Sequence, residues 1–253
     1  MGDQFRDAWQ SINWADEQTN LLKGEIDEFI EGSPYAVIAE PYADNRGGDI
    51  VLTPLKKPTQ MLWAMRVGTV VDLLRAALNY AVYQYALIDC PAKAGHVEFP
   101  IFATAAQFRR SGRISYLAQN KKDLIESMQP YHGQTDALMW LHELARVHRH
   151  RLIRPVLEGA DELHITTRAT EGDPMDIKIE PGDSKWLIPE NRTVLCRWVN
   201  VRPDRTHALI EANLDVVFIV DDPVVGVRQL PSLLFLMCHL TRDLMTAMES
   251  LLP

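Results

Sequence analysis

Two groups of residues have the types and spacing that chemistry needs. The first is His142, Glu143, Arg146, His148, His150 and Arg151, at a helix end whose positive charge Arg149 and Arg154 extend. Histidine exchanges a proton near neutral pH, and arginine can hold a phosphate or carboxylate through two parallel hydrogen bonds. His142, Arg146 and His150 recur every four residues and so share one face of a helix. The second group lies in an otherwise apolar stretch. At about 100° per residue, Gly68, Asp72, Arg75, Asn79, Tyr83 and Ala86 fall on one strip, polar in the middle and small at the ends. Asp72 and Arg75 are three apart and can pair, with Asn79 one turn beyond Arg75. If the basic helix end faces this strip, Asp72, Arg75, Asn79, His142, Arg146, His148, His150 and Arg151 form a candidate pocket for an anionic group.

Each group also has a plain structural reading. A buried Asp–Arg–Asn strip can be a hydrogen-bonded network that fixes helix register, because an unpaired buried charge costs several kcal/mol. A basic helix end can be a solvated terminus favoured by the helix dipole. Other chemistry has little support. His148 and His150 alternate on a helix and point to different sides, and no cysteine or carboxylate stands at ligand spacing, so no metal site is expected. No Gly-x-Ser-x-Gly occurs. Cys238 and His239 are neighbours on a helix and diverge. The Asp44-Asn45-Arg46-Gly47-Gly48 cluster lacks the Lys-Ser/Thr of a phosphate loop and reads as a turn. No residue pattern calls for a cofactor.

The elements that must position these residues are legible in the patterning. Pro58–Asp89 is apolar almost all round (Leu62, Trp63, Val67, Val70, Val71, Leu74, Leu78, Val82, Tyr85), which predicts a helix inside a core. Its charges Arg66, Asp72 and Arg75 argue against a membrane span. Asp3–Glu31 carries a heptad seam, Phe5, Ile12, Thr19, Ile26 with Ala8, Ala15, Leu22, Phe29, backed by acidic residues and stopped at Gly32. Helices are also expected over Asn120–Met128, Gln134–His150 and Leu230–Leu252, with a short helix or turn over Ala103–Arg110. The Arg109, Arg110, Arg113 cluster reads as a solvated loop. Tyr35–Glu40 and Asp49–Thr53 read as a hairpin. Leu163–Arg168, Met175–Ile179, Val194–Val201 and Leu214–Val220 read as strands, the last two central because both of their faces are apolar. Leu152–Leu157 fits either a strand or a helical continuation.

Composition bounds the answer. The chain has 253 residues, 47% hydrophobic and 24% charged, as in an ordinary soluble globular protein. A net charge of −8 makes nucleic acid an unfavoured partner without excluding a local basic site. Three scattered cysteines suggest a reducing cytoplasm. The first residues show neither a signal peptide nor a myristoylation pattern, since Arg6 stands where that motif wants Ser or Thr.

Four motifs in order carry a resemblance. Leu74-Arg75-Ala76-Ala77-Leu78-Asn79-Tyr80, Phe99-Pro100-Ile101-Phe102, Gln129-Pro130-Tyr131-His132 and Val147-His148-Arg149-His150-Arg151 resemble a bacterial family without an assigned activity. That family's pattern runs Leu-Arg-Ser-Ala-Leu-Asp-His, Phe-Pro-Ile, Gln-Pro-Tyr, Asp-Lys-His-Arg. The likeness covers Leu74 to Arg151. Asn79-Tyr80 replaces Asp-His and Arg149 replaces Lys, so any chemistry resting on the family's acid and histidine is absent here at those positions. A looser, fold-level likeness is to the helical nucleases of the HEPN class, whose hallmark is Arg, four to six residues, then His. Arg146 and His150 have only three between them, and Arg75 has no His at that interval.

The expectation is a single α+β domain over 1–253. Its helical part is 1–150 with a hairpin near 35–53, its β-rich part 151–228, and a C-terminal helix over 229–253 returns to the core. An antiparallel sheet from the second half packs with the helices. The function expected is a non-catalytic cytoplasmic binding or interaction protein. Its partner would be an unknown protein, a small anionic ligand, or a second copy held through the first helix. The alternative is a HEPN-like nuclease or nucleotide-binding enzyme in which Arg75 and Arg146 hold phosphate while His150 or His142 moves a proton.

Overall fold

A computed structural model describes residues 3–44, 46–133, 136–153, 155–169, 177–181, 192–200, 208–222 and 225–252. Asn45, Gln134, Arg154, Met175 and Val201, assigned above to elements or to the basic end, lie outside the described residues. The fold is α+β, as its patterning predicts. Contacts group the chain into two compact units: Met1–Gly24, Gln60–Pro155 and Val220–Pro253 form one, Glu25–Thr59 and Val156–Ile219 the other.

The first unit is helical. Its elements are the first turns of α1 (Arg6–Glu31), then α2 (Gln60–Asp89), α3 (Ala105–Ser111), α4 (Gln119–Ser127), α5 (Ala137–His148) and α6 (Leu230–Glu249). α2 lies against both α5 and α6, which also touch each other. Trp63, Val67, Val70, Val71, Leu74, Leu78 and Tyr85 of α2 are buried, as are Leu138, Leu141 and Leu144 of α5 and Leu234, Met237 and Met245 of α6. The expectation of an all-round buried helix needs one correction. Met61, Leu62, Met65, Tyr80, Tyr83, Leu87 and Ile88 remain exposed, so α2 carries an outward apolar side as well as an inward one. Apolar side chains are common on protein surfaces, and uniform apolarity cannot say which side a helix leaves to solvent.

The heptad seam of α1 is buried within the chain itself, none of Phe5, Ala8, Ile12, Ala15, Thr19, Leu22, Ile26 and Phe29 exceeding 4% exposure. Trp14 and Leu21 are the large apolar side chains α1 leaves exposed. The helix ends at Gly32 with its amide on the Glu28 carbonyl, but the left-handed residue is Ser33, at φ 46°. α5 ends at His148, short of the His150 expected.

In the second unit β1 (Tyr35–Pro41) and β2 (Gly47–Pro54) form the expected antiparallel hairpin. They do not stand apart from the C-terminal strands. β2 pairs antiparallel with β5 (Thr193–Asn200), which pairs with β4 (Ile177–Pro181), giving the order β1-β2-β5-β4. Trp198 of β5 explains the two glycines of β2. A Cβ on Gly48 would come within 2.3 Å of the Glu40 carbonyl oxygen and 2.6 Å of Trp198 Nε1, and one on Gly47 within 2.4 Å of the Trp198 carbonyl oxygen. Phe29 meets Tyr35 and Phe218 edge-on.

The remaining strands are β3 (Val156–Ala169), β6 (Ala208–Asp222) and β7 (Gly226–Gln229), in the order β3-β6-β7. The β3–β6 ladder is antiparallel and interrupted by a bulge between Gly159 and Leu163. β5 and β6, both expected to be central, are interior strands of their sheets. Of the ambiguous stretch Leu152–Leu157, the part from Val156 is strand.

Candidate functional site

The polar strip of α2 is an anchorage for the irregular segment Phe99–Phe102, which supplies no regular backbone pairing of its own. Asn79 Oδ1 accepts the Phe99 amide at 3.0 Å, and Arg75 Nη2 donates to the Phe99 carbonyl at 2.6 Å. Gln129, buried after α4, takes the other end: its Nε2 donates to the Pro100 carbonyl at 2.8 Å and to the Ile125 carbonyl at 3.1 Å, and its Oε1 accepts the Phe102 amide at 3.0 Å. Three of the four motifs quoted above thus meet in one hydrogen-bonded strap. A Pro-containing irregular run cannot satisfy its carbonyls and amides within itself, so buried side chains must do so.

Arg75 is the centre of this arrangement. It is 3% exposed. Its Nη2 also donates to Glu98 Oε1 at 2.8 Å, while Arg113 Nη1 reaches Glu98 Oε2 at 2.7 Å. Arg149 is close enough for its charge to act on both Arg75 and Glu98. Burial lowers the Arg75 pKa; the hydrogen bond and charge of Glu98 oppose this, and the like charges of Arg149 and Arg113 add to it. A guanidinium stays protonated regardless. Burial alone would raise the Glu98 pKa, but the hydrogen bond and charge of Arg75, with Arg113 and Arg149, hold it below the usual carboxylate value. His142 is half-buried, and desolvation together with the nearby Arg75 pushes its pKa down, so the imidazole is biased toward neutrality. Two of the three Arg75 nitrogens, Nε and Nη1, are buried without a hydrogen-bond partner.

The strip does not pair with itself. Asp72, 54% exposed, meets His148 Nδ1 at 3.0 Å instead of Arg75. The His148 ring lies on Gly68: a Cβ there would come within 1.9 Å of Nε2. Gly68 and Asp72 therefore form a slot, one turn apart, for a histidine from α5. Of the candidate pocket, Arg75, Asn79 and His142 gather around the strap, and Asp72 and His148 form a separate pair. Arg146 lies exposed with its Nε and Nη2 on Glu143 Oε2 at 2.8 and 2.6 Å. His150 is exposed and past the end of α5, so it leaves the face that His142 and Arg146 share. Arg151 is exposed.

The chain matches no known family model, no curated protein and no solved structure. Glu98, Arg113 and Arg149 belong to it although spacing did not single them out, Glu98 standing at the end of a loop and Arg113 in a cluster that reads as solvated. The available signal was the strap: an irregular Phe-Pro segment must be met by buried polar side chains, and its first flanking residue is an acid. Among the described residues no group of three or more His, Cys, Asp or Glu stands together as a metal site would require. No helix among them is long and apolar enough to cross a membrane.

A second polar group closes the far end of α2. Lys121, 4% exposed, donates to Asp89 Oδ1 at 2.7 Å and lies 4.7 Å from the centre of the Tyr85 ring, while the Ala118 amide donates to Asp89 Oδ2 at 2.7 Å. The Asp89 pKa is held down by these bonds against the effect of burial. Lys121 of α4 thus ties that helix to Asp89 and Tyr85 of α2.

Proposed function

We propose that the chain is a non-catalytic binding protein of the reducing cytoplasm whose ligand is a small anion taken at the Arg75 site. The observation that carries the reading is the Arg75 guanidinium, buried with two donor nitrogens unpartnered beside Arg113, Arg149 and the Glu98 carboxylate. A buried charged donor without an acceptor is costly, and an anion supplies acceptors and balances the excess positive charge. The unpaired thiols of Cys90, Cys196 and Cys238 support the compartment. A homodimer through the first helix has less support, since its seam is consumed by the chain's own core.

The alternative, a nuclease or nucleotide-binding enzyme, draws on His142, a near-neutral imidazole beside an arginine. Against it, Arg146 is committed to Glu143 and His150 lies off the shared face. The test is calorimetric titration of the full chain with inorganic phosphate, pyrophosphate and citrate, together with an RNA degradation assay. Saturable binding that is lost in the Arg113→Ala/Arg149→Ala variant, with RNA left intact, is the expected result. Absence of binding by all three anions overturns the proposal, and RNA cleavage abolished by His142→Ala replaces it with the alternative.

A further inference from the structure

We infer that the Glu98 carboxylate is a built-in occupant of this anion site, which an external multivalent oxyanion displaces; the inference rests on the anion-site reading above. Glu98 already makes the contacts a ligand would make, with one oxygen on Arg75 Nη2 at 2.8 Å and the other on Arg113 Nη1 at 2.7 Å. It is a poor match for what surrounds it. Three guanidinium groups, Arg75, Arg113 and Arg149, act on one carboxylate, and Arg75 Nε and Nη1 still lack acceptors. A phosphoryl group or a pair of carboxylates brings more charge and more oxygens to the same place.

The side chain is also free to leave. Glu98 is one-third exposed and Arg113 more so, whereas the adjoining backbone is bolted independently of the carboxylate. The Phe99 amide is held by Asn79, the Phe99 carbonyl by Arg75, and the Pro100 carbonyl and Phe102 amide by Gln129. Rotation of the Glu98 side chain therefore breaks its bond to Arg75 Nη2 without releasing the strap. The acceptors that Arg75 Nε and Nη1 lack are what an incoming oxyanion brings.

The experiment compares wild type with Glu98→Gln, which keeps the shape and an acceptor but removes the charge, in titrations with pyrophosphate and with citrate. Removing a competitor that occupies the site most of the time is expected to tighten binding about tenfold, and the better of the two ligands tells phosphoryl from carboxylate recognition. Equal or weaker binding by Glu98→Gln, when wild type binds, overturns the displacement and leaves the anion site standing; no binding by either protein removes the site itself. In wild type, the Arg75 Nε–H resonance in 15N spectra should shift along the same saturation curve as the calorimetric signal. A resonance that stays fixed at saturation overturns the inference even if the variant does not fold.

Discussion

At the scale of single residues, the Glu98–Arg75 pair makes stability depend on pH in a direction that can be worked out. Folding lowers the Glu98 pKa, so its contribution is fully present above the unfolded carboxylate value of about 4 and is lost as pH falls through the folded value. The His142 pKa is lowered too. The unfolded chain thus binds that proton first, and the folded state is penalised as pH drops below about 6.5. Thermal midpoints measured from pH 7 down to pH 3 should fall in two steps, the first absent in His142→Gln and the second reduced in Glu98→Gln. A profile that neither variant alters contradicts both assignments. The spacing of Asp72, Arg75 and Asn79 showed that these groups need partners, but not which ones. Asp72 and Arg75 are placed to pair by helix geometry, yet each is drawn to a different distant group, His148 and Glu98. Gly68 on the strip read only as small, because its purpose depends on an imidazole arriving from eighty residues away.

At the scale of elements, the Phe99–Phe102 strap is a segment without secondary structure that is nonetheless fixed at both ends. Gln129 carries one end alone, and its amide makes three buried hydrogen bonds. Gln129→Ala leaves the Phe102 amide and two carbonyls unpaired, at a cost of about 2–3 kcal/mol. Urea unfolding should register that loss, and exchange of the Phe102 amide should quicken; unchanged exchange means the strap is held by something else. Helices and strands themselves were largely legible, because apolar periodicity of 3.6 or 2 reports burial directly. Boundaries were less so: α5 stops at His148, and Ser33 rather than Gly32 adopts the left-handed turn. The hairpin is legible in its turn cluster, but the strand it pairs with is not. β2 pairs with β5, where the Trp198 ring lies against Gly48 and its carbonyl against Gly47, a contact that no local pattern encodes.

At the scale of the whole molecule, chain order and spatial order differ. The β-rich unit draws on Glu25–Thr59 and Val156–Ile219, and the helical unit on three separated segments. A chain ended after Pro155 lacks both β5 and α6, which leaves one edge of β2 bare and the inner side of α2 without one of its neighbours. Such a fragment should show helix by circular dichroism yet aggregate in light scattering at micromolar concentration; a stable monomer would show that Gln60–Pro155 packs unaided. The same feature has a consequence during synthesis. About 140 residues separate Pro54 from Thr193, so on a translating ribosome the hairpin has emerged on the order of ten seconds before its neighbouring strand exists. For that interval the nascent chain offers a strand edge to whatever else is nearby, and a chaperone that shields extended segments becomes a natural attendant of this protein's birth.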